Sequence, residues 1–446
     1  MSIKYIMLLL VSSIIILSCS SYKLAPAPPK HQILFDMDLE SGSMYVTANY
    51  VKDGAMGSSF LLNKDFVVHK ILCDGKEIDI AESMKKVKVF REEVNQYNFP
   101  PYQNSLRIEY TGVLTGESGS FSHVRETISP EFTFLRFETL YCPYFASEES
   151  FMENLWKPLS FETEITVNVP KGYTAVLSLL NATQKETPSG LSFTATSDLI
   201  VPFTLIAIAE YTRLDLKYST FYLLKDTDIN IVSALADSII SHTDSFMSKH
   251  FGQVESAHKL RVVQIPNDLG AIAVPPTNIF FTENVDLTQL EGKEYLIHEY
   301  IHTKWNPLNF DSSLVQQTHF FTEAFTNYFT YRVIYDMLGE DVAQSFIERF
   351  KHTYGITDLP PIIDWGKLNY GGLSYTIGAL CLYKLSELIG IETFDKVMTS
   401  FLHEHREKPV NFELFCKWFE DQSGHPEVNN FFQKWIYTNE YMKELK

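Results

Sequence analysis

Apolar and polar positions alternate with a period of two through most of the first half of the chain, and with a period near that of a helix through most of the second. The change falls close to Asp226. Alternating runs at 43–51, 66–72, 105–110, 132–137 and 162–169 predict strands with one buried face each. Asp74-Gly75, Pro170-Lys171-Gly172 and Pro188-Ser189-Gly190 supply the turns that separate such strands. The pattern predicts an all-β domain over residues 31–216, built as a sandwich or saddle.

Beyond it, Val232, Leu235, Ala236, Ile239 and Phe246 fall on one helical face, and Gly252 is a stop. Short strand regions follow at 260–265 and 271–282. Helices are then predicted at 291–304, before Pro307; at 319–338, ended by Gly339; at 375–389, ended by Gly390; and at 412–422, capped by Asn411. A last helix carries Phe431, Phe432, Trp435 and Ile436. Strands followed by helices, with few βαβ alternations, make the chain α+β, with a second, mainly helical domain over residues 217–446.

Composition changes this picture at the amino terminus. With 446 residues, 45% hydrophobic and 21% charged, the body is globular and long enough for two or three domains. Its net charge of -18 excludes a nucleic-acid surface, which needs clustered Lys and Arg. The first thirty residues differ in kind. Lys4 precedes an apolar run over 5–17, the length of a signal-peptide core. It ends in Ile16-Leu17-Ser18-Cys19, which resembles the lipobox of bacterial lipoproteins. That resemblance implies a signal peptide over residues 1–18 and a lipid on Cys19. Residues 19–30, with Pro26, Pro28 and Pro29, then form a stiff tether. The expected location is the cell envelope, anchored to a bacterial membrane by lipid, with the folded part outside the cytoplasm. Of the remaining cysteines, Cys73, Cys142, Cys381 and Cys416, four allow three disulfide connectivities. Cys381 and Cys416 lie among apolar residues at helical spacing and read as buried free thiols.

The chemistry is concentrated in His298-Glu299-Tyr300-Ile301-His302, on the helix predicted at 291–304. Residues four apart on a helix are offset by only about 40°, so both imidazoles can reach one metal with Glu299 beside them. Such a motif arises by chance in roughly one chain in a hundred of this length, so a second element has to decide. On the next helix Phe321, Ala324, Phe325 and Tyr328 define a buried face, and Glu323 projects near it. His319, four residues before Glu323, is the competing third ligand. Asn327 and Tyr328 have two readings, support of the ligands from behind and packing, of which packing is the simpler, and His403 and His405, two apart on a helix, read as surface residues.

"HEYIH" taken with "FFTEAFTNYF" resembles the aminopeptidase N and leukotriene hydrolase family of gluzincins, and "HTKWN" is similar to the glycyl aminopeptidases. "LSYTIGALCLYKLSELIG" and "VNFELFCKWFEDQSG" resemble later family segments, and "VVQIPNDLGAIAVPPTNIFF" the strand before the metal helix. The resemblance implies a thermolysin-like catalytic domain behind an N-terminal saddle. It implies one Zn2+ per chain on His298, His302 and Glu323, with Glu299 activating water and Tyr375 stabilising the oxyanion. A peptide or protein substrate would lie along Gly270, Ala271, Ile272 and Ala273. One departure bears on specificity. "GAIAV" stands where the family has Gly-x-Met-Glu-Asn, so Ala273 replaces the glutamate that grips a substrate's free α-amine. A rival expectation is a non-catalytic peptide-binding lipoprotein on a degenerate aminopeptidase scaffold. Intact Glu299 opposes it, because a binder has no need of a general base.

Overall fold

The computed structural model describes residues 30–51, 57–89, 92–114, 127–136, 139–151, 162–179, 182–197, 204–225, 227–254, 259–267, 269, 272–274, 278–304, 309–310, 319–351, 358–365, 368, 370–406 and 408–445. Cys19 and the rest of the expected leader and tether as far as residue 29 lie outside them, as do Gly270 and Ala271 of the expected substrate strand. No described helix is long and apolar enough to cross a membrane.

The alternating segments form the large sheet of the first domain. Its eight strands run in the order Thr183–Thr187, Gly190–Ser197, Glu162–Pro170, Lys30–Asp38, Ser43–Val51, Ser105–Val113, Val67–Cys73, Lys76–Glu77. Neighbours are antiparallel except Lys30–Asp38 with Glu162–Pro170. In Ser43–Val51 every second side chain, Met44, Val46, Ala48 and Tyr50, is buried, as period-two patterning requires. Two three-stranded sheets supply the opposing layer, contributing Phe60, Leu62, Tyr97, Ala175, Leu177, Ile206 and Ile208 to the shared core. The Asp74-Gly75 turn has both residues at positive φ, 49° and 78°. That is the backbone a two-residue hairpin needs.

The second part is a five-stranded sheet under a helical layer. Its strands are β1 (Thr212–Asp215), β2 (Ser219–Leu223), β3 (Leu260–Ile265), β4 (Ile272–Val274) and β5 (Asn278–Thr282), in the spatial order β1-β2-β3-β5-β4. The three central strands are parallel and the outer two antiparallel to them. Residues 216–217 fall in the turn between β1 and β2. Helix α1 (Ile229–Phe251) makes the crossover from β2 to β3. The others are α2 (Leu290–Lys304), α3 (Phe325–Leu338), α4 (Glu340–Phe350), α5 (Ile377–Ile389), α6 (Ile391–Glu404), α7 (Phe412–Ser423) and the expected last helix, α8 (Val428–Phe432), which runs on into a π-helical turn, Gln433–Tyr437. Helix α4 was not anticipated, and of α6 only the segment at His403 was placed on a helix, without bounds. Gly339 and Gly390 end one helix at positive φ and flank the start of the next, so each stop signal is also a start.

Two expected helices begin irregularly. A π-helical turn, Phe320–Ala324, precedes α3, and a 3-10 turn, Gly371–Tyr375, precedes α5. The first turn of α2 requires a glycine, since a Cβ on Gly292 would lie 2.0 Å from the Asp286 carbonyl oxygen. The two parts share an apolar cluster in which Phe132, Phe134, Leu205 and Ala207 meet Val263, Ile265, Leu269 and Phe280. Three polar ties cross the same junction. Arg136 donates to the Leu269 carbonyl at 3.3 Å, Arg261 to that of Leu179 at 2.5 Å and Asn278 to that of Ser178 at 2.8 Å.

Candidate metal centre

Helix α2 lies between the sheet and the α3 helix, with Ile297 and Ile301 fully buried beneath it. That packing turns the neighbouring line, His298 and His302, about 100° further around the helix, toward α3. The two Nε2 atoms are 2.9 Å apart, and Glu323 Oε2 lies 3.1 Å from His302 Nε2 and 3.4 Å from His298 Nε2. Glu323 reaches this point from the π-helical turn, the kind of local widening that recurs at functional sites. Ala324 beside it packs so closely on α5 that a Cβ on Gly378 would meet the Ala324 methyl at 2.8 Å.

Two residues on α3 fix the rings from behind. Asn327 Nδ2 donates to the Tyr375 carbonyl at 2.7 Å, so its Oδ1 faces His298 Nδ1 at 2.8 Å and accepts the ring proton. His298 Nε2 is thereby left with its lone pair directed at the cluster. Thr326 Oγ1 stands 3.3 Å from His302 Nδ1. Of the two readings, support of the imidazole from behind and packing, the hydrogen bonds of Asn327 favour the first. Tyr328 is packing: it is fully buried, and Arg332 donates to its hydroxyl at 3.2 Å. The signal for Thr326 and Asn327 was their position three and four residues after Glu323, polar side chains on an otherwise apolar helix face.

The side chains of His298, His302 and Glu323 are only 12%, 15% and 14% exposed. Burial raises the Glu323 carboxyl, but the charge of His302 and the hydrogen bonds of both imidazoles outweigh it and hold the group well below the usual carboxylate range. Burial pushes the Glu299 carboxyl up, with Glu323 in the same direction and the two imidazoles opposing. Tyr375 is exposed along its outer edge, 41% overall, and its ring stacks on His298 at 6.1 Å between centroids. Burial of its hydroxyl and the charges of Glu323 and Glu299 hold the phenol protonated far above its ordinary range.

The His298 Nε2 lone pair and the Glu323 carboxylate thus converge beside His302 Nε2, and among the described residues no Lys or Arg contacts them. Only a proton or a metal cation relieves that arrangement. His298, His302 and Glu323 are also the one grouping of described residues able to hold a metal together. Tetrahedral zinc with nitrogen and oxygen ligands near 2.1 Å needs ligand atoms about 3.4 Å apart. Separations of 2.9 to 3.4 Å fit that demand after a small expansion. His319 is exposed at the start of the π-helical turn and stands outside the cluster. His403 is exposed, whereas His405 is half-buried against Phe401 and Trp418 and so is not the surface residue expected. Ile272 and Ala273 form β4, with Ala273 opposite Ile279. Cys73, Cys142, Cys381 and Cys416 are all free thiols, and Cys381 and Cys416 are buried as expected.

No family model and no curated protein matches the chain in sequence. Solved structures do match in fold. An M1 zinc metallopeptidase from Deinococcus radiodurans has a TM-score of 0.65 at 14% identity, over 92% of this chain and 94% of that one. A mutant of an M1 zinc metallopeptidase from the same organism, bound to a Tyr-Ser-Ala substrate, has a TM-score of 0.63 at 15% identity over the same shares. Native yeast LTA4 hydrolase has a TM-score of 0.62 at 14% identity, over 92% of this chain and 68% of that one. At such identities the likeness is one of fold: this chain has the β-domain and helical-domain architecture of two-domain M1 zinc metallopeptidases.

Proposed function

We propose that the chain is a zinc-dependent peptide hydrolase. The observation that carries this reading is the convergence of His298, His302 and Glu323 with the unused carboxylate of Glu299 beside them. His298, His302 and Glu323 would hold the ion, and zinc there supplies Lewis acidity toward a water and a peptide carbonyl. Glu299, its carboxyl raised by burial, takes the proton of the attacking water and passes it to the departing amine. Tyr375 donates its hydroxyl to the oxygen that becomes negative in the transition state. Asn327 keeps His298 and the Tyr375 backbone in register, since one amide holds both.

The substrate would add as a strand along β4, which is the edge of its sheet. With Ala273 in place of a carboxylate, nothing on that strand pairs a substrate ammonium in a partly desolvated cleft. Longer or N-terminally blocked peptides should therefore be cut better than single aminoacyl reporters. Lipid anchoring to a bacterial membrane through Cys19, with the folded part outside the cytoplasm, completes the proposal and rests on the sequence of residues 1–30. Ala273 also favours the rival, a peptide-binding protein without turnover. Turnover of a mixed peptide library by wild type and Glu299→Gln separates the two. Cleavage by wild type that falls on the order of a hundredfold in the variant, at equal metal content, supports hydrolysis. Binding without cleavage in both supports the rival.

A further inference from the structure

One charged pair beside the metal centre has no part in the chemistry above. Glu294 lies four residues before His298 on α2, hence on nearly the same line of the helix and about 6 Å away along its axis. Its carboxylate accepts from Arg349 of α4 at 2.8 Å. The Glu294 side chain is 22% exposed and that of Arg349 50%. The Arg349 guanidinium is itself held over the Phe346 ring at 4.2 Å. The next residue shows which flank this is. Tyr295, turned about 100° from Glu294 around the helix, donates its hydroxyl to the Phe280 carbonyl of β5 at 3.4 Å. Tyr295 therefore faces the sheet that carries β4, and Glu294 faces α4 on the other flank of the metal centre.

We propose that Glu294, set in place by Arg349, is a specificity-determining carboxylate that selects a basic side chain on the substrate residue lying across the metal centre from β4. A substrate advances at most about 3.6 Å per extended residue, so the neighbour of a residue centred on His298 and His302 comes within reach of Glu294. Arg349 donates to one carboxylate oxygen, Oε2, and a carboxylate carries about four acceptor positions, so a second cation can share the group. Ala273 removes the anion from one flank and Glu294 places one on the other. The charge that is recognised is therefore a Lys or Arg side chain and not the free α-amine.

This inference rests on the peptide-hydrolase reading, and its test separates the two. The probes are acetylated peptides that differ at one position flanking the scissile bond, with Lys, norleucine or Glu there, and one Lys peptide with a free amine. Wild type should favour Lys over norleucine about tenfold or more in kcat/KM. Glu294→Gln should bring that ratio close to one, and Glu294→Lys should turn the preference toward Glu. A ratio near one in wild type, or an equal loss on every peptide in Glu294→Gln, overturns the proposal. So does a preference that follows the free amine. If wild type cuts none of the peptides, hydrolysis is what fails. The same ratios are then read from equilibrium binding, where the absence of a Lys preference overturns the proposal.

Discussion

Two buried clusters of histidine and carboxylate lie along the same stretch of chain, and they differ in what neutralises them. At Asp395 the carboxylate receives Arg332 of α3 at 2.7 and 3.0 Å and His250 of α1 at 3.0 Å. The guanidinium also lies over the rings of Phe246, Phe251 and Tyr328. Cation and anion are both supplied by the protein, in the bidentate geometry that Arg favours. Nine residues before Arg332, Glu323 meets two imidazoles whose far nitrogens face Asn327 and Thr326, and no guanidinium or ammonium joins them among the described residues. The first cluster is complete as folded and ties α1, α3 and α6 together. The second is complete only with a cation from outside.

That contrast is open to attack from either side. Arg332→Ala should cost about 3–5 kcal/mol of stability, because it strands a buried carboxylate. Denaturant titration reads that loss, whereas chelation of zinc should abolish turnover and leave the fold standing. At the second cluster, Tyr375→Phe removes one donor to the developing oxyanion. It should cost about 3 kcal/mol of transition-state stabilisation, visible in kcat with little change in KM. If turnover survives and only melting shifts, Tyr375 is a packing residue. Asn327→Ala removes the acceptor for the His298 ring proton and should weaken zinc affinity about 10- to 100-fold. Competitive titration against a chelator measures it, and unchanged affinity would mean the ring is oriented by other contacts. Smallest is Thr326→Val, which keeps the shape but removes the hydroxyl at 3.3 Å from His302. About 1 kcal/mol or less of metal affinity should be lost.

The parts of this account that were legible in the sequence are those written in periodicity. Ser43–Val51 and Glu162–Pro170 were found because one face of each is buried. His298 and His302 were found because metal chemistry requires four-residue spacing on a helix. Glycine misled where it served two helices at once, so α4 was lost behind Gly339 and the start of α6 behind Gly390. The π-helical turn at Phe320–Ala324 was not legible either, because its apolar residues satisfy an ordinary helix pattern equally well. The turn packs against α5 at Gly378, a tertiary contact that no local pattern encodes. Asn327 was underrated for a related reason. A single polar residue has no period, and its two hydrogen bonds join elements 29 and 48 residues away.

The central claim is that the convergence of His298, His302 and Glu323 is a metal site and not a structural cluster like the one at Asp395. Zinc titration of chelator-stripped wild-type protein, followed by calorimetry, tests it most directly. The account predicts uptake of one zinc per chain, greatly weakened in Glu323→Gln while the variant stays folded. No uptake by folded wild-type protein, or equal uptake by Glu323→Gln, would contradict it.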